Sequence, residues 1–512
     1  MKATLFKNAL ISTFLFGLAA LTHAQVSTDG PKYNILDGTR FAADHANDFR
    51  DLPALYSKDL RTLEGGYPSR IEAKRILGIR KFQETWQRVL QGMKFDAMNR
   101  SGKVDYILFR QKLIRDRNEF REKALNLQRA AKLIPFAEEV IALEYGRRSL
   151  ENYDIQELAP KLENLAKRID ARKVVMTKIV NLSRSGENED ESMSEDVLKT
   201  AEDASRELQK LVQGWFDFFR GYDPVFTWWM AAPSKKLAQS LNAYAEVFKK
   251  PVSKDRKPSE AEGEEEGFND ENHGSPVGAK RLAVLLRDEM IPYNAEELVA
   301  LAKKELAWCL RQQEKTAREL GFGKDVAKAL GHVKKLHVAP GKQPAVIRRL
   351  ALEAIDYLEK NDLVTIPRLA KDSWRIGMMS PGRQRYNPFF TGGSTISVSY
   401  PHEDMTYADK LMSMRGNNPH FSAATVHHEL IPGHHLQNYM TSRYNTHRRS
   451  YATVFWTEGW ALYWEILLWD LGFPKTPEDR QRSKSPDTLI STTRRYTSTE
   501  CGASAGRVFW QL

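Results

Sequence analysis

The sequence predicts a mainly α-helical fold with one small β-sheet. Apolar residues recur at helical spacing over most of the chain, as in Asp105–Leu125, where Phe109, Leu113 and Phe120 alternate with basic and acidic residues. In contrast, residues 387–401, NPFFTGGSTISVSYP, are rich in β-branched and aromatic side chains and contain a Gly-Gly turn signal. We therefore expect many helices and a strand near residue 396, in an α+β arrangement with a helical N-terminal lobe.

The first 24 residues have the features of a secretory signal peptide. Lys2 and Lys7 precede an apolar run, residues 9–21, that is too short to cross a bilayer comfortably. A membrane anchor is the less favoured alternative. We expect residues 1–24 to be removed, no membrane span in the remainder, and a periplasmic or secreted mature protein.

Composition excludes some classes of protein. The two cysteines, Cys309 and Cys501, are too few for a disulfide scaffold, and Cys309 is expected to pack in the core. The net charge of +11 is modest for 512 residues. Because no compact basic helix or aromatic-basic motif is present, we expect no nucleic-acid partner. The oligomeric state is not predicted.

Residues 25–253 are expected to form the N-terminal helical lobe. Within it, Pro224 and Pro233 are predicted to interrupt the helical pattern. Trp228 and Trp229 lie between these prolines, and paired aromatic residues are usually buried. They are therefore interpreted as core anchors rather than as a sugar-stacking surface.

A second region follows an acidic linker. Residues 254–275 contain many acidic residues and glycines but little apolar mass, so they cannot form a core. Helical periodicity resumes in residues 276–480, the predicted catalytic region. There, Pro292-Tyr293-Asn294 is predicted to end one helix and cap the next, which Gly321-Phe322-Gly323 ends. Residues 344–361 are expected to form another helix.

Residues 426–435, VHHELIPGHH, contain four histidines, of which His428 and His434 stand six positions apart. In a continuous helix, residues six apart point about 240° from one another and cannot share a metal ion. Proline and glycine can, however, loop out of a helix. If Pro432 and Gly433 form a two-residue interruption, the four-residue spacing of a zinc site returns. The alternative is that Pro-Gly ends a helix and the histidines fill space.

A later segment favours the metal site over that alternative. Residues 456–463, WTEGWALY, resemble the segment with which thermolysin-like enzymes and aminopeptidases supply a third ligand, a glutamate on a following helix. Two histidines and one carboxylate leave a fourth zinc position for water, as in catalytic sites. His427 and His435 are expected to lie near this site or on the surface.

Four segments together are similar to the bacterial family catalogued as domain of unknown function 885: VHHELIPGHHLQ, NPFFTGGSTISVSYP, LMSMRGNN and WTEGWALYWE. Its His-Glu-x-x-Pro-Gly-His signature places that family beside the thermolysin-like zincins. The resemblance implies one zinc ion with ligands His428, His434 and Glu458, and a catalytic base at Glu429. Gln437 also fits the family pattern and is assigned a supporting role.

Two further predictions concern the surroundings of the metal. The strand beginning at Ser394, Thr395 and Ile396 is expected to pair with an extended peptide substrate, although it fits a purely structural strand equally well. Glu465 lies seven residues beyond Glu458, on the same helical face. It is therefore predicted to orient a ligand histidine, with solvation as the alternative.

These observations predict an exported zinc-dependent peptidase that hydrolyses peptide bonds with metal-activated water and Glu429 as general base. The alternative is a non-catalytic, metal-containing helical binding protein. The residues after Arg480 favour that alternative, because segment 481–512 lacks a helical stripe. We interpret it as an irregular tail, atypical of the family and truncated or frame-shifted, in which Tyr496 is the candidate for oxyanion stabilisation.

Overall fold

The computed structural model describes residues 49–184, 193–249, 277–385 and 392–483. The chain divides into two compact units, Met1–Gly263 and Glu264–Leu512. This division falls within residues 254–275, the linker that the sequence predicts. The predicted signal peptide, residues 1–24, lies outside the described residues.

The described part of the first unit consists of α-helices and a short 3-10 turn, Phe95–Ala97. The helices are α1 (Leu52–Gly65), α2 (Ala73–Gln91), α3 (Arg100–Leu133), α4 (Ala137–Arg148), α5 (Ile155–Arg184), α6 (Glu195–Arg220) and α7 (Pro224–Phe248). This confirms the helical pattern predicted for the N-terminal lobe.

The core of the first unit forms where α7 packs against α5 and α6. Apolar residues spaced three or four apart put one face of each helix in this core, including Trp215 of α6 and Tyr244 of α7, both fully buried. The Tyr244 hydroxyl donates a hydrogen bond of 2.6 Å to the Leu133 carbonyl at the end of α3. Burying a large apolar side chain stabilises a fold by about 1.5–3 kcal/mol, so these aromatics hold the helices together.

Two predictions about residues of α7 are wrong. Pro224 stands at the start of α7, but Pro233 lies inside that helix and does not end it. Tertiary packing offsets the lost backbone hydrogen bond, because Pro233 is itself buried with its neighbours on the core face. Trp228 is 76% exposed rather than a core anchor, whereas Trp229 packs partly against the core.

The second unit contains shorter helices and a two-stranded sheet. Its elements are α8 (Gly278–Asp288), α9 (Ala295–Glu319), α10 (Val326–Lys335), α11 (Gln343–Lys360), α12 (Arg368–Ser373), β1 (Arg375–Met378), α13 (Pro381–Gln384), β2 (Thr395–Val398), α14 (Tyr407–Gly416), α15 (Pro419–Glu429), α16 (His434–Thr441), the 3-10 turn Thr446–Tyr451, α17 (Val454–Asp470) and α18 (Pro477–Ser483). The fold is therefore mainly helical with a small sheet. None of the described helices combines the length and apolarity needed to cross a bilayer.

The cap predicted for α9 is present. The Asn294 side chain accepts a hydrogen bond of 2.9 Å from the Glu297 backbone, and the Glu297 carboxylate accepts one of 2.8 Å from the Asn294 backbone. This reciprocal pair satisfies two of the free N–H groups at the helix start. At the other end, Gly321 adopts a φ of +83°, which favours glycine. Cys309 of α9 is buried, as predicted.

The strands β1 and β2 pair in parallel, with Ile376 opposite Ile396. The side chains of Ile396 and Val398 are fully buried and share an apolar cluster with Val426 and Leu430. The cluster therefore fixes β2 against α15, the helix that carries the histidine motif. Of the strand predicted between residues 387 and 401, only Thr395–Val398 is a strand in the described residues.

The last described helix, α18, continues to Ser483, three residues beyond Arg480, the predicted end of the catalytic region. It packs against α15 and α9. His420 of α15 contacts Asp479 of α18 through a hydrogen bond of 2.7 Å between Nδ1 and Oδ1. Residues 484–512, including Tyr496, lie outside the described part of the chain.

Candidate metal centre

The histidine motif is interrupted between α15 and α16, around Pro432 and Gly433. The Gly433 amide donates to the His427 carbonyl at 2.9 Å, and the Leu436 amide donates to the Leu430 carbonyl at 3.2 Å. Both bonds join residues six apart instead of the four of an α-helix. The normal spacing returns at once, since the Gln437 amide donates to the Gly433 carbonyl at 3.0 Å. The predicted Pro-Gly interruption is confirmed.

Gly433 lies where two segments of the backbone come so close together that only glycine fits. A Cβ atom at this position would lie 1.6 Å from the carbonyl oxygen of His428. Real Cβ contacts never come so near, so any side chain here would force the two segments apart. The glycine therefore lets the chain turn tightly enough to bring His434 beside His428.

The interruption brings the predicted ligands together. Nε2 of His428 lies 3.6 Å from Oε2 of Glu458, and Nε2 of His434 lies 3.7 Å from the same oxygen. The two imidazole rings are 4.7 Å apart at 85°. One donor atom from each of these residues lies within 4.8 Å of the other two. Ligands about 2.0–2.1 Å from a tetrahedral zinc ion are separated by about 3.3 Å, so the three residues fit one such ion with small movements.

The histidines of this group keep Glu458 ionised, and the neighbouring glutamates favour the protonated form of His428. Burial alone would raise the pKa of Glu458, but its interactions with His428 and His434 outweigh burial and lower that pKa. Burial acts on His428 in the opposite sense, and its interactions with Glu458 and Glu465 raise its pKa well above the usual value. Glu458 is therefore held as a carboxylate, the form that binds metal.

Glu465 lies against the other side of the His428 ring. Its Oε1 atom is 2.6 Å from Nδ1 of His428. The Glu465 carboxylate accepts a hydrogen bond from Nδ1–H of His428, so a proton lost from this ring would leave from Nε2, the nitrogen that faces Glu458. The structure thus brings Glu465 to a predicted ligand histidine. For His434, Nδ1 is buried and has no hydrogen-bond partner among the described residues.

Glu429 is buried next to the first histidine and lies against a glycine of the loop before β2. A Cβ atom on Gly392 would lie 2.2 Å from Oε2 and 2.6 Å from Cβ of Glu429. The backbone at Gly392 therefore packs directly on the Glu429 side chain. Sequence reasoning treated the Gly392-Gly393 pair only as a turn signal and missed this contact.

The predicted substrate strand has one face in the core and one edge without a strand neighbour in the described residues. Ser394 and Thr395 are exposed, but Ile396 is fully buried. The carbonyls of Ser394 and Val398 accept hydrogen bonds from Arg375 and Met379, so the backbone groups of Thr395 and Ser397 face the other edge. Ile396 turns its backbone groups toward β1 and its side chain into the core, so it presents neither to this edge.

The remaining polar residues of the motif hold neighbouring elements. Gln437 donates from Nε2 to the Trp456 carbonyl at 3.4 Å, while its Oε1 is buried without a partner in the described chain. His435 donates from Nε2 to the Ala370 carbonyl at 2.8 Å, and burial lowers its pKa. His427 packs edge-on against Phe473, and burial lowers its pKa to about 4. Neither histidine joins the ligand group.

One further contact at the interruption was not predicted. The indole Nε1 of Trp460 donates a hydrogen bond of 2.8 Å to the carbonyl of Pro432. Trp460 belongs to α17, two residues after the predicted ligand Glu458. The helix that supplies the carboxylate therefore also contacts the loop between the two histidines.

Comparison with known proteins places the chain in a family. The family model described as "Bacterial protein of unknown function (DUF885)" matches residues 69–486. A comparison with curated proteins finds no match. Among solved structures, the chain is similar to one described as "a putative lipoprotein of unknown function" from Shewanella oneidensis, with a TM-score of 0.52, 13% identity, and coverage of 92% of this chain and 89% of that chain. At this identity the likeness concerns the fold alone. Because the family match covers more than half of its residues, the chain belongs to the bacterial family DUF885.

Proposed function

We propose that this protein is an exported zinc-dependent peptidase. The observation that carries the proposal is the convergence of His428, His434 and Glu458, from three helices, on one point. Glu429 directly follows the first of these residues in the chain. Two histidines, one carboxylate and an adjacent glutamate are the parts that a catalytic zinc site uses.

Each residue has a role that its surroundings support. His428, His434 and Glu458 would hold a zinc ion, which would act as a Lewis acid toward water and a carbonyl. Glu429 accepts a proton from the attacking water and passes it to the leaving amine. The packing of Gly392 on Glu429 limits the freedom of that carboxylate. Glu465 fixes the ring of His428, and Gln437 ties α16 to α17.

The edge of β2 is the proposed binding surface for an extended peptide. The backbone groups of Thr395 and Ser397 are turned away from β1, so they are free to pair with a substrate strand. Gly393 precedes this edge, and its amide is 3.5 Å from the Glu429 carbonyl. A peptide on this edge would therefore run close to the proposed base.

Export is proposed from two observations. Residues 1–24 have the pattern of a secretory signal. The similar solved structure is described as "a putative lipoprotein", and lipoproteins are a class of protein that acts outside the cytoplasm. Fractionation of cells that express the full-length chain would test this. Recovery of the protein in the cytoplasm, with its first 24 residues still attached, would contradict it.

The activity is tested by incubating the zinc-loaded protein with a mixed peptide library and identifying cleaved bonds by mass spectrometry. Wild-type protein should cleave, lose activity on chelation and regain it with zinc. Glu429→Gln should lower the rate by about 10²–10⁴-fold, since it removes the proton acceptor, with unchanged zinc content. Zinc binding by the wild type without any cleavage would favour the non-catalytic binding protein instead.

A further inference from the structure

The interruption between α15 and α16 leaves the buried Pro432 carbonyl without its usual helical partner. In a continuous helix the Pro432 carbonyl would accept from the amide of Leu436. That amide instead donates to the Leu430 carbonyl. An unsatisfied buried carbonyl is destabilising, and Pro432 is buried. The Trp460 indole supplies the missing donor at 2.8 Å.

Apolar packing orders the indole that makes this bond. Trp460 packs against an apolar cluster that contains Ile431 and Leu436, the residues on either side of the interruption. Its ring also meets Trp464 edge to face, with centroids 5.9 Å apart. The donor is therefore fixed relative to the chain on both sides of Pro432.

The bond joins two of the proposed ligands through a short path. His434 follows the Pro432-Gly433 pair directly, and Glu458 precedes Trp460 by two residues on the same helix. A displacement of the Pro432 carbonyl would move Gly433 and then His434. The geometry between His434 and Glu458 thus depends on the Trp460 hydrogen bond.

We infer that Trp460 is a positioning residue for the metal site: its indole N–H holds the Pro432-Gly433 interruption and so keeps His434 aligned with Glu458. This inference rests on the proposed function for the identity of the ligands. It adds the Trp460 indole, which is not a ligand, as a hydrogen-bond donor that affects the affinity for the metal. Partners that orient a ligand typically change metal affinity by about 10–100-fold when removed.

The test compares Trp460→Phe with Trp464→Phe in the full-length chain. Trp464 lies one turn further along α17 in the same cluster, but its buried Nε1 has no hydrogen-bond partner in the described residues. Both variants shrink one ring, and only the first removes a used donor. A third protein carries 3-benzothienylalanine at position 460, which keeps the bicyclic ring and lacks the N–H.

Two readouts are measured. In chelator-treated protein, hydrogen exchange at the amides of residues 433–437 should be faster in Trp460→Phe and in the benzothienyl protein than in the wild type. It should be unchanged in Trp464→Phe. In zinc competition with a chromogenic chelator, the two proteins altered at position 460 should bind zinc about 10–100-fold more weakly. Cobalt-loaded samples should show an altered visible spectrum.

Equal effects of Trp460→Phe and Trp464→Phe, or a benzothienyl protein that matches the wild type in exchange and affinity, would overturn the inference while leaving the metal site in place. Absence of zinc binding by the wild type would instead overturn the proposed function, and the exchange comparison would still decide the role of Trp460. If Trp460→Phe does not fold, the benzothienyl protein gives the result.

Discussion

Oε1 of Glu465 lies 2.6 Å from Nδ1 of His428, while the Nε2 atom of the same ring lies 3.6 Å from Oε2 of Glu458. Both glutamates belong to α17, two helical turns apart. One helix therefore contacts both nitrogens of one histidine, through Glu465 as a hydrogen-bond acceptor and through Glu458 as a proposed second ligand. The position of α17 relative to α15 thus sets the geometry of the proposed metal site.

Neutralising Glu465 should weaken metal binding without removing a ligand. Glu465→Gln keeps the shape of the side chain but loses the charge that makes the imidazole a stronger ligand. We expect zinc affinity to fall by about 10–100-fold in chelator competition. Asp470→Asn, an exposed change on the same helix, serves as the control. Equal affinities for Glu465→Gln and the wild type would contradict the role of Glu465.

Adding one methyl group at Gly433 should disrupt the site. In Gly433→Ala the new Cβ would meet the His428 carbonyl at 1.6 Å, so the interruption must open. We expect a loss of about 3 kcal/mol in the free energy of unfolding and loss of zinc binding. Gly331→Ala in α10, where nothing lies within 4 Å, should be neutral or stabilising. Thermal unfolding and zinc content measure both, and a stable, zinc-binding Gly433→Ala protein would refute the backbone geometry.

Adding a methyl group at Gly392 should impair catalysis more than metal binding. The new Cβ would lie 2.2 Å from the Glu429 carboxylate and 2.6 Å from the Glu429 backbone carbonyl, so it would displace this residue, which is not a proposed ligand. We expect the rate of peptide hydrolysis to fall by about 10²-fold or more, and by a larger factor than zinc affinity. Gly382→Ala, in an open position, is the matched control. Full activity in Gly392→Ala would show that Glu429 is not the base.

The first unit offers a prediction on pH and stability. Glu144 is 6% exposed and accepts hydrogen bonds from Arg147 and Arg148 at 2.6–2.9 Å. Burial alone would raise the pKa of Glu144, but the two arginines outweigh it and lower that pKa below its usual value of 4.5. The stabilisation by Glu144 is therefore fully present above pH 4.5 and lost as pH falls through the lowered pKa.

Glu144→Gln should accordingly lower the free energy of unfolding by about 2 kcal/mol at pH 7, and its difference from the wild type should shrink below about pH 4. Urea unfolding of the full-length chain at several pH values measures this. Glu157→Gln, which removes an exposed ion pair with Lys161, should cost at most about 0.5 kcal/mol. A destabilisation by Glu144→Gln that grows as the solution is acidified would contradict the lowered pKa of Glu144.

Local patterns in the sequence predicted those parts of the structure that depend on helix geometry and on residues near in the chain. The spacing of His428, Pro432 and His434 sufficed to predict the interruption, because helix geometry allows few other ways to bring two such histidines together. The cap at Asn294 and the core face of α3 followed from equally local rules.

Contacts between distant segments were not predictable in this way. Trp460 meets Pro432 across 28 residues, and Gly392 meets Glu429 from a different element. Nothing in their spacing reveals either approach. Pro233 and Trp228 were misjudged for a related reason, since packing against neighbouring helices decides whether a proline is tolerated and which face is buried.

The most direct test of the metal site is a crystal structure of the zinc-loaded protein with diffraction data collected on both sides of the zinc absorption edge. The proposed zinc site requires one anomalous peak in the second unit, about 2.0–2.2 Å from Nε2 of His428, Nε2 of His434 and a carboxylate oxygen of Glu458. A protein that binds zinc through other residues, or that shows no peak among these three side chains, would contradict it.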